Sequence, residues 1–504
     1  MAKTKDEQAP KVARMSRTKD ERAPKVTNKR PAGADTGPYD KFAHRGGGPL
    51  SQESWLKNQA DREAMARTIR EKVTRKSLGG WKPPKNRINP VDVLIETSKG
   101  RVESLVPIRY GRMMASPFAF YRGAAAIMAA DLSTTASTGI HLQICGDCHL
   151  VNFGGFATPE RELVFDINDF DETTVGPWEW DVKRLCASLV VASRANGFSD
   201  DDAKDIAWEA ATSYRKHLAD YAQMPVLEAW YDHIDLQDVI NRMRDEEMRK
   251  LANKSVHKAV QYTAHTKEFI KLTVEGGSPP RIQDEPPLIY HDDSLANHVS
   301  EKERADAFAD YRQSLLPERR VLLDRFNAVD SAVKVVGVGS VGTYCGILLM
   351  VSGNGDPLFL QFKEARQSVI DPFVANKPYK HQGERIVSGQ RLMQSASDLF
   401  LGWSQGPRRH FYVRQLRDAK ISPQVELMRV PNLRRYGRLC AHALARAHSR
   451  SGDAILLSAY LGKSDAFADA IAAFAVPYAD QNDRDHAALV KAVRAGRVDA
   501  MTIP

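Results

Sequence analysis

The sequence predicts an α+β protein in which a large helical part is interrupted by a smaller β-rich one. Three observations lead there. Apolar residues recur at helical spacing over most of the chain, and the texture turns β-branched and strand-like only between about 331 and 430. With 504 residues, 42% of them hydrophobic and 27% charged, the composition is that of a globular chain with room for two or three domains.

The chain starts with a tandem repeat, TKDEQAPKV from Thr4 returning as TKDERAPKV from Thr18. So polar a stretch buries too little apolar area to offset its ordering entropy, and 1–50 is expected to be a disordered basic tail, closed by Gly46, Gly47, Gly48 and Pro49. Residues 1–30 hold ten Lys/Arg against four Asp/Glu and so carry six of the formal net charge of +9. The body is nearly balanced, which gives no sign of a specific nucleic-acid surface.

A charged helix is expected over 52–76, broken by Pro83, Pro84 and Pro90, and an Ala-rich buried helix over 117–131. Strand-like runs at 141–145 and 162–167 flank a polar turn, and a long helical stretch follows over 181–272, ending in the loop at 276–280. After a helix over 301–328, residues 333–365 read as β with a turn at 352–356. Helix returns over 383–401, a strand over 410–416, and Ala-rich helices run from 436 onward. The expected organisation is a 1–50 tail, a helical lobe over 51–330, a β-rich lobe over 331–430, and helices over 431–504 that complete the helical lobe.

No run approaches the roughly 20 apolar residues of a membrane span, and the N-terminus, charged from Lys3, lacks a signal-peptide core. The cysteines Cys145, Cys148, Cys186, Cys345 and Cys440 are scattered, unlike a disulfide framework, so a soluble cytoplasmic protein is expected.

The densest chemistry lies in 146–171: GDCHLVNFG, a short turn, then ELVFDINDFDE. Carboxylates and an amide delivered by a loop and by a strand end can converge on a divalent cation, and hard oxygen donors suit Mg2+ or Mn2+. Asn152 follows Asp147 by five residues, the step from catalytic Asp to metal-binding Asn in the kinase loop H-R-D-x-x-x-x-N. An apolar strand then delivers Asp169, Phe170 and Asp171 where a kinase presents D-F-G. Asp147 would take or orient the proton of a substrate hydroxyl, His149 would position it, and Asn152 and Asp169 would hold metal, with Asp166 as a competing ligand. The plain alternative is a surface turn capped by Asp and Asn.

A second constellation is the G-x-G-x-x-G of Gly337, Gly339 and Gly342. A Rossmann turn would open a helix after the last glycine, but TYCGILLMV from Thr343 is β-branched and apolar, which predicts strand, turn, strand. Bare backbone amides there can approach phosphates. The next strand carries Lys363, at the place of a lysine that pairs nucleotide phosphates, and Glu384 follows about 20 residues on as its expected partner. Asp181 reads as an N-cap or as a brace for the loop, Lys183 and Arg184 as helix-face charges or phosphate contacts, and His448 as a packed helix residue. The C-x-x-C of Cys145 and Cys148 has no second pair to complete a four-thiolate site.

With these motifs stated, the chain resembles a bacterial family catalogued as a conserved domain of unknown function, through SPFAFYRGAA, CGDCHLVNFG, VFDINDFDET and GPWEWDVKRL, from about residue 50 to the C-terminus. The motifs in turn resemble the protein-kinase-like superfamily, in particular aminoglycoside and choline phosphotransferases. That resemblance implies a two-lobed kinase-like fold, Asp147 as catalytic aspartate, Asn152 and Asp169 as metal ligands and Lys363 as the nucleotide lysine. Here the glycine-rich segment follows the catalytic loop instead of preceding it, so the expected order is circularly permuted. The expected function is ATP- and Mg2+-dependent phosphoryl transfer to a hydroxyl-bearing substrate. Alternatives are nucleotidyl transfer on the same fold, a non-catalytic nucleotide-binding pseudokinase or scaffold, and a thiol redox protein. The sequence sets no oligomeric state.

Overall fold

The computed structural model describes residues 54–261, 272–273, 280–291, 300–335, 337–374, 379–416 and 420–502, so the repeated tail and most of the loop at 276–280 lie outside the described residues. The first apolar helix, α1 (Pro117–Gly123), starts on Ser116, whose hydroxyl accepts from the Ala119 amide. The single helix expected over 117–131 is two, because Ala124 leaves helical geometry (φ −106°, ψ 25°) before a second helix, Ala125–Leu132, begins. Gly123 precedes the break, with Met113 so near that a Cβ has no room, and glycine is a poor helix former.

Four short strands follow: β1 (His141–Ile144), β2 (Phe153–Ala157), β3 (Leu163–Ile167) and β4 (Thr174–Pro177). β1 pairs antiparallel with β4, placing Ile144 opposite Thr174, and β2 with β3, placing Phe153 opposite Ile167. This register fixes the geometry of everything that follows. Loop 145–152 joins β1 to β2 and loop 168–173 joins β3 to β4, so the stems of one loop are hydrogen-bonded to the stems of the other.

The helical stretch expected over 181–272 is divided into α2 (Trp178–Ala195), α3 (Asp200–Tyr221) and shorter helices at Val226–Tyr231, Leu236–Asn241 and Glu246–Gln261. Gly197, at φ +76°, ends α2, and Ser199 caps α3 by accepting from Asp202 N. α2 is buried on nearly every side, as a core helix is. Trp178 stacks on Tyr214 of α3 with ring centres 5.8 Å apart, and each such buried side chain contributes about 1.5–3 kcal/mol by leaving water.

The remaining strands, β5 (Ile289–Tyr290), β6 (Phe326–Lys334), β7 (Cys345–Ser352), β8 (Pro357–Ala365), β9 (Gly402–Gln405) and β10 (His410–Gln415), form one antiparallel sheet in the order β5-β6-β7-β8-β10-β9. Alternate residues of β7 enter opposite cores, Ile347 and Leu349 with Phe359 on one face, Leu348 and Met350 with Leu358 on the other. Both faces are therefore covered. Between β6 and β7 the glycine segment is a turn and not the start of a helix. α4 (Gln382–Met393) crosses between β8 and β9, and α5 (Val430–Ser451) and α6 (Ala466–Arg494) close the helical core. No helix of the described residues is long and apolar enough to cross a membrane.

Candidate functional site

Loop 145–152 passes so near loop 168–173 that Gly146, at φ +83°, has the Glu172 carbonyl 2.4 Å from where a Cβ would sit. Only glycine fits both the angle and the gap. Asp181, in the first turn of α2, accepts from the amides of Cys145 (2.8 Å) and Gly146 (2.9 Å). It is the brace, and His448 of α5 stands behind it, Nε2 at 3.2 Å from Asp181 and Nδ1 at 2.8 Å from the Tyr214 hydroxyl. His448 is a packed residue, as expected.

Asp147 lies at the loop apex with Arg184 of α2 against it, Nε donating to Oδ1 at 2.6 Å. Arg184 is buried instead of lying on an exposed helix face. Burial pushes the Asp147 carboxyl up, and the nearby Asp169 charge adds to this while Arg184 opposes it. Asn152 donates from Nδ2 to the Asp147 carbonyl at 2.7 Å. His149 sits with Nε2 3.9 Å from Asp147 Oδ2 and a buried Nδ1 that has no hydrogen-bond partner. Burial, helped by Arg122 and Arg184, holds this imidazole neutral well below its usual titration range.

In the facing loop, the Asn168 amide donates to the Asn152 carbonyl at 2.7 Å. Asp169 accepts a long bond from the Asp171 amide, 3.3 Å. Asp171 is the anchor of the distant sheet: Lys363 of β8 donates to it at 2.8 Å and the Tyr412 hydroxyl of β10 at 2.6 Å. Burial raises the Asp171 carboxyl, and Lys363 with Tyr412 more than reverses this, so it stays ionised. Burial lowers the Lys363 ammonium, and Asp171 more than reverses that too.

Three expectations need correction. Glu384 does not pair with Lys363: it is half-buried in the first turn of α4, and Asp171 takes the lysine instead. Its neighbour Arg385 does the structural work, bonding the carbonyls of Asp171 (2.9 Å), Arg366 (2.8 Å) and Thr173. Asp166 is no metal ligand, because it is fully buried with Arg446 at 2.7 and 2.9 Å from its two oxygens and the Ser395 amide and hydroxyl beside them. Gly342 lines neither of the two cavities described next, and its carbonyl accepts from Val102 N at 2.7 Å.

Two cavities meet at Asp169, Gly337 and Ser340. The larger, about 740 Å³, is also lined by Lys363, Gln361, Arg414 and Phe400, a size that suits a small-molecule ligand. The smaller, about 130 Å³, adds Asp147, His149, Asn152, Asp171 and Gly339. The structure therefore brings together Asp147, His149, Asn152, Asp169, Gly337, Gly339 and Lys363. Sequence reasoning missed Asp171 as the lysine's partner, although it stands two residues beyond Asp169. It also missed Tyr412 and Arg385, which no local pattern marks. The Cys145 and Cys148 thiols approach an Asp181 oxygen within 4.8 Å. Burial pushes both thiols up, Cys148 to about 11, and Asp181 already holds two amides, so they are packed thiols.

Residues 101–492 match the family described as uncharacterized protein conserved in bacteria, DUF2252. The chain belongs to this family. The DUF2252 region spans both loops, the glycine turn and Lys363, so the whole set of converging residues falls inside it. No curated protein and no solved structure matches the chain.

Proposed function

We propose that this DUF2252 protein is an ATP-dependent, kinase-like phosphotransferase that moves the γ-phosphoryl group to a hydroxyl of an acceptor. One observation carries the reading: Lys363, 192 residues along the chain from Asp171, holds it at 2.8 Å, and Asp169 lines both the cavity of Lys363 and that of Asp147. On this reading the sheet with Lys363 and the glycine turn is the nucleotide lobe, in circularly permuted order.

The donor set fits a hard divalent cation such as Mg2+ or Mn2+, since Asp169 and Asn152, which can offer a carboxylate and an amide oxygen, line the same cavity. When bound, such a cation neutralises phosphate charge. Lys363 offers an ammonium whose remaining donors can meet phosphate oxygens, and Gly337 and Gly339 offer approach without Cβ interference. Asp147 accepts the proton of the acceptor hydroxyl while that oxygen bonds the γ-phosphorus and the bond to the β–γ bridging oxygen breaks, releasing ADP. Arg184 holds Oδ1 and leaves Oδ2 for the hydroxyl, and the raised carboxyl is a stronger base than an ordinary aspartate.

The test is label transfer from γ-labelled ATP and Mg2+ into a fractionated bacterial extract. Wild type transfers label and releases ADP, and Asp147→Asn abolishes transfer while still binding nucleotide. Release of pyrophosphate instead of ADP indicates nucleotidyl transfer. Binding without turnover in any fraction indicates a non-catalytic nucleotide-binding protein.

A further inference from the structure

Four arginines, Arg101, Arg109, Arg122 and Arg366, line the smaller cavity beside Asp147. They adjoin one another: Arg101 Nε and Arg366 Nη1 share the Thr97 carbonyl at 3.0 and 3.3 Å, and Arg109 Nη2 reaches the carbonyl of Gly123, next to Arg122, at 3.4 Å. Arg109 also donates to the Ser98 hydroxyl at 2.9 Å. Among the described residues none of the four forms an ion pair, and the Nε atoms of Arg109 and Arg122 are buried without a hydrogen-bond partner.

The carboxylates on the same wall do not balance them. Asp147 belongs to Arg184, Asp171 to Lys363 and Glu364 to Arg409, each pair within 2.8 Å. Glu172 and Asp169 remain, and Glu172 already accepts from the Val369 amide at 2.8 Å. Burial, with repulsion among the guanidiniums, lowers Arg101 to about 9, and burial with the Arg366 charge lowers Arg109 to about 10. Cations that outnumber their counter-charges in a partly buried site are costly to a fold, and arginine forks match the oxygens of phosphate and carboxylate.

We propose that this cavity is an oxyanion site that holds the acceptor, a small hydroxyl compound bearing a phosphate or carboxylate group. The word acceptor rests on the phosphotransferase reading; the anion site does not. With the anion on the arginines, the hydroxyl of a small molecule faces Asp147, which lines the same cavity of about 130 Å³. An uncharged alcohol brings no counter-charge to the guanidiniums and binds poorly.

The experiment is thermal shift of the full chain with inorganic phosphate alone and with acetate alone, without metal or nucleotide. Wild type is stabilised in a dose-dependent way, and Arg122→Gln and Arg366→Gln each weaken the response at least tenfold. Both positions are half-buried, and circular dichroism verifies that each variant is folded. A stronger response to phosphate points to a phosphorylated acceptor, and a stronger response to acetate to a carboxylated one. The same titration is repeated with Mg2+ and the non-hydrolysable triphosphate β,γ-imido-ATP. Additive stabilisation supports a separate anion site, and mutual exclusion overturns it by giving the arginines to the nucleotide. No response to either anion in wild type, or a response unchanged in both variants, also overturns it. If the triphosphate never stabilises the protein while phosphate does, the phosphotransferase reading falls and the anion site stands.

Discussion

Loop 145–152 and the glycine turn at 337–344 face the same cavity but are held in opposite ways. The loop is fastened from inside the helical core, by Asp181 on two amides, Ser188 on the Leu150 amide at 3.0 Å and the Tyr436 hydroxyl on the Leu150 carbonyl at 2.7 Å. The glycine turn is tied through its carbonyls by the segment 101–112, with Arg112 on Gly337, Arg101 on Val341 at 2.6 Å and the Val102 amide on Gly342 at 2.7 Å. Buried side chains on rigid helices preorganise a reacting group, while a turn tied at its rim can adjust to what enters beneath it. The oxygen donors are therefore fixed and the glycine amides are adaptable.

The largest effect is expected at Asp181. Asp181→Ala leaves two loop amides and His448 without their acceptor in a buried site, and we expect urea denaturation to show a loss of about 3–5 kcal/mol. A loss under 1 kcal/mol contradicts a loop fastened by the core.

A smaller change of opposite sign is expected at Lys183, on the same helix. Its ammonium is buried, donates to the Thr135 hydroxyl at 3.0 Å and lies 4.9 Å from the Phe474 ring, and burial pulls it down to about 8. A lysine lowered in the folded state stabilises fully only above its unfolded value of about 10.4, and that stability is lost as pH falls toward 8. Lys183→Met removes this dependence. It should raise unfolding free energy at pH 7 by about 1–3 kcal/mol and flatten the stability curve between about 8 and 10.4. An unchanged curve contradicts a buried charge at this position.

The least effect is expected at the rim of the turn. Arg112→Ala should cost less than about 1 kcal/mol in the same denaturation, since it removes one bond to a carbonyl that water can reach. Its effect on nucleotide affinity should exceed its effect on stability, and the reverse order contradicts an adaptable turn.

The α+β class and both chemistry-bearing loops were legible because short loops concentrate unusual residues between short apolar strands. Asp147, Asn152 and Asp169 stand within 23 positions of one another and meet through the local register of β1 to β4. Asp166 was misread since its ion pair depends on Arg446, 280 residues away. Glu384 was misread for the same physical reason: the partner of Lys363 is chosen by packing across 192 residues, and spacing along one segment does not report it. The arginine cluster, drawn from 101–122 and 366, has no local signature at all.

On the proposed reading, loop and sheet residues remote in the chain bind one metal–nucleotide complex. Thermal shift with ATP, with and without Mg2+, on wild type, Asp169→Ala and Lys363→Met tests it most directly. Mg2+-dependent stabilisation is expected in wild type, lost in Asp169→Ala and weakened in Lys363→Met. Wild type that shows no Mg2+-dependent response to ATP, or an undiminished response in both variants, contradicts it.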